Sequence, residues 1–203
     1  MFIHTLFENP IFYLRVVAIV IISISLHELA HGWAALSQGD NTPETSGHMT
    51  LNPVVHMGVG SIIFLCLAGI SWGQMPVNPS KFRSAKWGNI WVSAAGPLMN
   101  VAIAASAIII INILLSAPSI LSRLASVEFW YLAARLNLVL FLFNLLPVPP
   151  LDGFRVFSEL FPGLKPLENS PFGLIALIII FTSKVGVGLF AIADFAIETF
   201  IIA

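Results

Sequence analysis

The motif His27-Glu28-Leu29-Ala30-His31, set in a run long enough to cross a bilayer, constrains this chain most. The run extends from Ile11 to Leu36, and His27, Glu28 and His31 interrupt its C-terminal half. Crossing the hydrocarbon core takes roughly 20 apolar residues. Ionisable groups at that depth are expensive to bury, so they point to function. Residues i and i+4 of a helix share one face, so both imidazoles can bind one metal ion from the same side. A glutamate beside the first histidine can reach a water on that ion and take its proton, the arrangement that zinc hydrolases use. The plainer alternative is two interfacial histidines beside a snorkelling glutamate. The preceding apolar stretch Val16-Val17-Ala18-Ile19-Val20-Ile21-Ile22, in helical register with the motif, weighs against it.

The rest of the chain agrees with a membrane setting. Of its 203 residues, 58% are hydrophobic and 9% charged, against about 25% charged in soluble domains. Such a chain cannot cover a globular surface with polar side chains. A net charge of -1 argues against a nucleic-acid partner. Cys66 is the sole cysteine, which excludes an intramolecular disulfide. The first segment lacks a basic start and a small-residue cleavage pattern, so it reads as a retained helix rather than a signal peptide.

Four further segments follow: Val54 to Trp72, Trp87 to Ala117, Val127 to Leu146, and Phe172 to Ala203. The last holds Lys184 beside Gly186 and Gly188, which suggests one broken helix or a hairpin dipping into the membrane. Asp194 and Glu198 share a helix face there, and pairing with Lys184 is the simple expectation. Residues 39–53 and 73–86 are rich in Gly, Pro, Asn, Ser and Thr and read as turns and short extended pieces. Residues 152–171 carry Asp152, Arg155, Glu159, Lys165 and Glu168 and suit the interface. The expected fold is an all-α integral membrane protein. It has about five to six transmembrane or re-entrant helices, with short extended loop pieces near the site, in a single domain over 1–203.

A catalytic zinc usually takes three protein ligands and keeps one open position. His48, His56, Asp152 and a few loop glutamates are candidates for the third. Asp152 stands out after Asn144-Leu145-Leu146-Pro147-Val148-Pro149-Pro150-Leu151, where the prolines stop a helix and Gly153 permits a tight turn. An ordinary helix-terminal turn ending in Asp-Gly is the alternative.

HELAH in a hydrophobic helix, then Ala95-Gly96-Pro97-Leu98-Met99-Asn100, then NLLPVPPLDG closely resembles the site-2 proteases, which are intramembrane metalloproteases. The resemblance covers about residues 20 to 160, and Thr50-Leu51-Asn52-Pro53 and Pro76-Val77-Asn78-Pro79 look like the compact bacterial branch. It implies one zinc ion held by His27, His31 and Asp152, with Glu28 as general base. It further implies that Asn144 holds the substrate or its developing oxyanion, a role an amide donor can fill. A helix–helix hydrogen bond is the competing reading for Asn144. Gly96 and Asn100 match the family's glycine-containing helix motif, with Gly96 suited to close packing and Asn100 grouped with the substrate contacts. His56 matches a histidine of compact members, as a transient ligand, a gate or a hydrogen-bonding interfacial residue. Two departures stand out. His48 stands where an arginine is expected, and Met57-Gly58-Val59-Gly60 replaces an Asp-Pro turn.

If one zinc joins the end of the first helix to Asp152, both helices end on the same side of the bilayer. The chain from 54 to 86 then leaves that side and returns, either as a re-entrant segment or by crossing and coming back through the protein, where a water-filled cavity can satisfy its backbone. Lys81, Arg83, Lys86, Arg155 and Lys165 fall on the site side, against Arg123 in the opposite turn. The positive-inside rule then faces the site to the cytoplasm, in a bacterial inner membrane. The partners implied are the lipid bilayer and a membrane-anchored protein substrate, cleaved in or near its transmembrane segment. Loops 39–53 and 73–86 could hold that substrate as an added strand. A non-catalytic binding protein of the same fold and a metal transporter are the alternatives. The intact Glu28 argues against the first and the clustering of ionisable groups on one side against the second.

Overall fold

The computed structural model describes residues 1–116, 126–168 and 170–202. Ala117, Arg123 and Ala203, used above as segment ends or as a charge, lie outside them. The described residues are helical or irregular, with no strand among them. The helices that matter here are α1 (Pro10–Ser37), α2 (Pro53–Ala68), α3 (Ala85–Ser116), α4 (Val127–Asn144), α5 (Asp152–Leu160), α6 (Phe172–Thr182) and α7 (Val185–Phe200). Helices α1, α3 and α4 are long and apolar enough to cross a membrane, and α6 with α7 passes that test as a pair bent by 68°. With the shorter apolar α2, this matches the expected all-α membrane fold. The residues fall into two compact units, Met1–Met99 and Asn100–Ala203, with the division inside α3.

In the first unit, α1 begins at Pro10, with the Asn9 side chain accepting from the Phe12 N–H at 3.0 Å. Proline at the first position sacrifices a donor that had no partner anyway. The helix is 28 residues long, or about 42 Å, so it extends past a hydrocarbon layer of roughly 30 Å. Its C-terminal half packs through small side chains. Ala34 and Ala35 form a core with Phe82 and Val92, backed by Val77 and Ala95. A Cβ on Gly88 would meet Phe82 at 2.8 Å, so glycine there lets α3 come close to the segment before it.

The run Val54 to Trp72 resolves into a hairpin. Helix α2 has 16 residues and stops where Gly69 takes a left-handed conformation, φ 76°. The chain then runs back along the helix. Ser61 meets Trp72 through two hydrogen bonds, Oγ to the carbonyl at 2.7 Å and N–H to Oγ at 2.9 Å. Farther back, the Gln74 N–H donates to the His56 carbonyl at 2.9 Å. That carbonyl would serve residue 60 in an unbroken helix. Gly58, at φ 70° and ψ 157°, breaks the helix and releases it. Residues 69–74 thus fold back along α2 towards its start.

The loops flanking α2 are joined by a buried carboxylate. Asp40 is 0% exposed and accepts from the N–H of Asn78 at 2.6 Å and of Thr42 at 2.9 Å. The Thr42 hydroxyl also donates to it, and the Lys81 ammonium lies 3.8 Å away. Burial opposes its ionisation, but these donors and the lysine outweigh that, and the carboxyl is held below its ordinary range.

In the second unit, α4 and α7 pack together. Ala133 and Ala134 are buried on one helix, and Leu189, Ala193 and Ile197 on the other. Arg135 grips Asp194 with both forks, Nε to Oδ1 at 2.6 Å and Nη2 to Oδ2 at 2.8 Å. The Tyr131 hydroxyl donates to Asp194 at 3.2 Å, and the guanidinium lies over the Phe190 ring at 4.8 Å. This corrects the expected partner of Asp194, which is Arg135 rather than Lys184. Lys184 instead occupies the break between α6 and α7 and is exposed.

Candidate metal centre

Helix α1 places His27 and His31 one turn apart, with rings edge to face and centroids 4.7 Å apart. Their Nε2 atoms are 3.1 Å from each other. His27, Glu28 and His31 are all buried, at 7%, 7% and 8% exposure. The His31 Nδ1 lies 2.6 Å from the carbonyl oxygen of Val92 on α3. A carbonyl can only accept, so Nδ1 carries a proton, and in the neutral ring the lone pair is then on Nε2. That is the tautomer a metal requires, fixed by a partner outside the coordination sphere.

Gly96 completes this arrangement. A Cβ at that position would overlap the Nε2 atoms of both histidines and lie 2.6 Å from the His27 Cε1. The missing side chain therefore leaves space in front of the two nitrogen lone pairs. The sequence suggests close packing for Gly96, and the structure shows that what it packs against is the imidazole pair. Two imidazoles whose Nε2 atoms converge on a cradle that one methyl group would fill are a fit for a zinc-type cation.

Glu28 is bounded by the returning chain of the α2 hairpin. A Cβ on Gly73 would lie 2.5 Å from Glu28 Oε1, 2.8 Å from its Cγ and 2.7 Å from Ile24 Cγ2. One turn further along α1 on the same face, a Cβ on Gly32 would meet the Met49 sulfur at 2.7 Å and the Met75 methyl at 3.1 Å. Val92, Gly73 and Ser61 were not singled out from sequence. One acts through its backbone, and the other two sit in stretches without periodicity.

His56 is fully buried. Its Nε2 donates to the Thr50 carbonyl at 2.6 Å, and its Nδ1 has no hydrogen-bond partner among the described residues. The His48 ring stands 6.4 Å from it, with His48 Nδ1 near the Ser46 carbonyl at 3.0 Å. His56 thus sits in the interior, tying the start of α2 to the loop before it.

The remaining sequence candidates belong to the second unit. Asn100, fully buried, donates to the Asn137 Oδ1 at 3.0 Å, and the Asn137 amide donates to the Ala133 carbonyl at 2.9 Å. The Asn144 amide donates to the Leu140 carbonyl of its own helix at 3.0 Å. Asp152 is the first residue of α5, where a carboxylate is favoured by the helix dipole. Gly153 sets its place. A Cβ there would lie 2.7 Å from the Asn144 carbonyl oxygen and closer still to the Leu145 carbonyl group, so α5 begins directly on the end of α4.

A family model for Peptidase family M50 matches residues 15–123 and 113–185. The chain belongs to peptidase family M50. This membership bears out the resemblance to site-2 proteases. Among similar proteins, "Putative zinc metalloprotease YwhC" of Bacillus subtilis is 35% identical over 176 residues, covering 82% of this chain and 80% of that protein. "Putative zinc metalloprotease Rip2" of Mycobacterium tuberculosis is 28% identical over 184 residues, 83% of this chain and 67% of the relative. Its namesake in Mycolicibacterium smegmatis is 31% identical over 171 residues, 78% and 62%. No solved structure matches the chain.

Proposed function

We propose that this M50 member is an intramembrane zinc endopeptidase that hydrolyses a peptide bond in or near a transmembrane segment of a membrane-anchored protein. The observation that carries the reading is the His27–His31 pair. The two Nε2 atoms converge on the Gly96 cradle of α3, with Glu28 adjacent and His27, Glu28 and His31 borne by a helix of membrane-spanning length. His27, His31 and Asp152 would hold one zinc ion, a donor set of two imidazoles and a carboxylate suited to a catalytic site. When bound, zinc polarises the scissile carbonyl and makes water acidic enough to supply hydroxide near neutral pH.

The chain's own residues do the rest. Glu28 takes the proton of the attacking water and delivers it to the leaving amine. Val92 holds His31 in its ligating tautomer through the hydrogen bond at Nδ1. Asn144, Asn100 and His56 are assigned to substrate and oxyanion contacts. For Asn144 the support is its place at the end of α4, where a change of rotamer would exchange its bond to Leu140 for one to substrate. A helical substrate has its carbonyls occupied, so it must unwind before it can react, and the irregular loops flanking α2 offer backbone to receive it. The site would face the cytoplasm of a bacterial inner membrane, in keeping with Lys81, Arg83, Lys86, Arg155 and Lys165 on its side. We read the two compact units as one functional domain.

The test is cleavage of a membrane-anchored reporter by purified protein and its Glu28→Gln variant. Retained zinc with activity lowered by at least about 10³-fold is the expected result, since general base and hydroxide delivery are lost together. Equal activity in the two would remove the proposal. Zinc stoichiometry of Asp152→Ala tests the third ligand, and an unchanged value would exclude it.

A further inference from the structure

The geometry points to Ser61 as a positioning residue for Glu28, acting through the peptide of Trp72 and Gly73. This rests on the reading of Glu28 as general base. Ser61 lies on α2, is 1% exposed, and never approaches the reacting atoms by any contact in the structure. What it holds is the returning chain. Its hydroxyl donates to the Trp72 carbonyl at 2.7 Å and accepts from the Trp72 N–H at 2.9 Å. One hydroxyl therefore satisfies both polar groups of residue 72. In a segment without regular secondary structure, those groups would otherwise need water or another strand.

The next residue is Gly73, whose backbone touches the Glu28 carboxylate and Ile24 so closely that no Cβ fits. The residue after that is fastened again, by the Gln74 N–H on the His56 carbonyl. Gly73 is thus held between two anchors, both on α2. The hinge at Gly58 lies between those anchors and supplies the second one by releasing the His56 carbonyl. A fixed backbone wall at Gly73 limits the sweep of the Glu28 side chain, which has three rotatable bonds and a large rotamer entropy to lose. Free to move, the carboxylate would spend part of its time out of reach of the water. A displacement near 1 Å in such a group is worth about 10²-fold in rate. Ser61 supplies the side-chain hydrogen bonds of this anchoring, since the contact at position 56 comes from its backbone, while the Phe64 ring packs against the Trp72 ring at 5.8 Å.

The experiment compares full-length, zinc-loaded wild type with Ser61→Ala, Ser61→Thr and Ser61→Cys on the same membrane-anchored reporter. It measures kcat, KM and zinc stoichiometry. The expected result for Ser61→Ala is a kcat lowered about 10- to 100-fold, with KM within about threefold of wild type and zinc content unchanged. Ser61→Thr keeps the hydroxyl and should recover most of the rate. Placed in a Glu28→Asp background, whose shorter carboxylate no longer reaches the Gly73 wall, Ser61→Ala should have little additional effect. An unchanged kcat in Ser61→Ala, a change confined to KM, full additivity with Glu28→Asp, or loss of zinc at Ser61 with no rescue by threonine would each overturn the inference. If Ser61→Ala does not fold, Ser61→Cys decides, because its weak donor predicts an intermediate kcat and a wild-type value refutes. The failure of the underlying reading is seen separately, as full activity in Glu28→Gln.

Discussion

Replacing Gly96 by alanine is the sharpest test of the proposed metal centre, because it adds one methyl group and nothing else. That methyl would overlap the Nε2 atoms of His27 and His31 and sit 2.6 Å from the His27 Cε1. Carbon and nitrogen atoms rest about 3.5–4 Å apart, so one of the three groups must move by about 1 Å. The helices have little room to separate, because the small-residue core of Ala34, Ala35, Val92 and Ala95 joins them near this level. The His31 ring cannot rotate away without giving up its 2.6 Å contact with the Val92 carbonyl. Either adjustment costs about 1–3 kcal/mol as overpacking. Disturbing a ligand's supporting partner lowers metal affinity about 10- to 100-fold, and the methyl also occupies the space an ion needs. The assay is zinc content after equilibration with a graded chelator, together with reporter cleavage. Gly60→Ala is the control. Gly60 lies in α2, nothing among the described residues lies within 4 Å of a Cβ there, and alanine in a helix should be neutral or stabilising by about 0.5–1 kcal/mol. Wild-type zinc retention and activity in Gly96→Ala would refute the claim that the two imidazoles and the glycine form one metal cradle.

Three further outcomes follow from separate features. Asp40 has a folded-state pKa below its ordinary value near about 3.9. Its contribution to stability is therefore fully present above that value and is lost as pH falls through the folded pKa. Asp40→Asn should flatten the acid limb of a thermal-stability profile, and an unaltered limb would dissociate the loop clasp from acid sensitivity. Arg135→Met leaves the Asp194 carboxylate with Tyr131, and with roughly a third of each side chain exposed the loss should be about 1–3 kcal/mol. The double variant Arg135→Met/Asp194→Leu should recover most of it, and a double variant as unstable as the sum of the singles would contradict the pairing. Gly153→Ala drives a methyl into the backbone of Asn144 and Leu145. It should reduce zinc stoichiometry through Asp152 even though residue 152 is intact, and metal analysis checks this directly.

The motif on α1 was legible because helical spacing alone puts positions 27 and 31 on one face, whatever the surroundings. The third to fifth segments were legible from apolar length. The second was not, because hydropathy continues through Leu67, Ala68 and Ile70 while the helix stops at Gly69 and the chain folds back. A left-handed glycine and an internal hinge at Gly58 decide this, and neither leaves a periodic signal. The pairing of Asp194 was misjudged by proximity in the chain. Lys184 lies ten positions away along α7, about 15 Å by helical rise, whereas Arg135 comes from the helix packed against it. Gly96 was visible as a motif member, but its contact with two imidazoles required α1 and α3 to be seen at their actual separation. Gly73 and Ser61 stand in no pattern, since their significance comes from what a fold-back brings within reach.

The bond between His31 and Val92 has a consequence for how this protein tolerates change. The group that fixes the imidazole belongs to the peptide chain, so nearly any amino acid at position 92 would still supply it. A mutational scan would register that position only through the volume its side chain fills beside Ala34 and Ala35. The histidine's alignment is therefore insured against point substitution at its partner. What it depends on is the course of α3, and deleting or inserting a single residue between Trp87 and Val92 would turn that carbonyl about 100° around the helix and break the alignment.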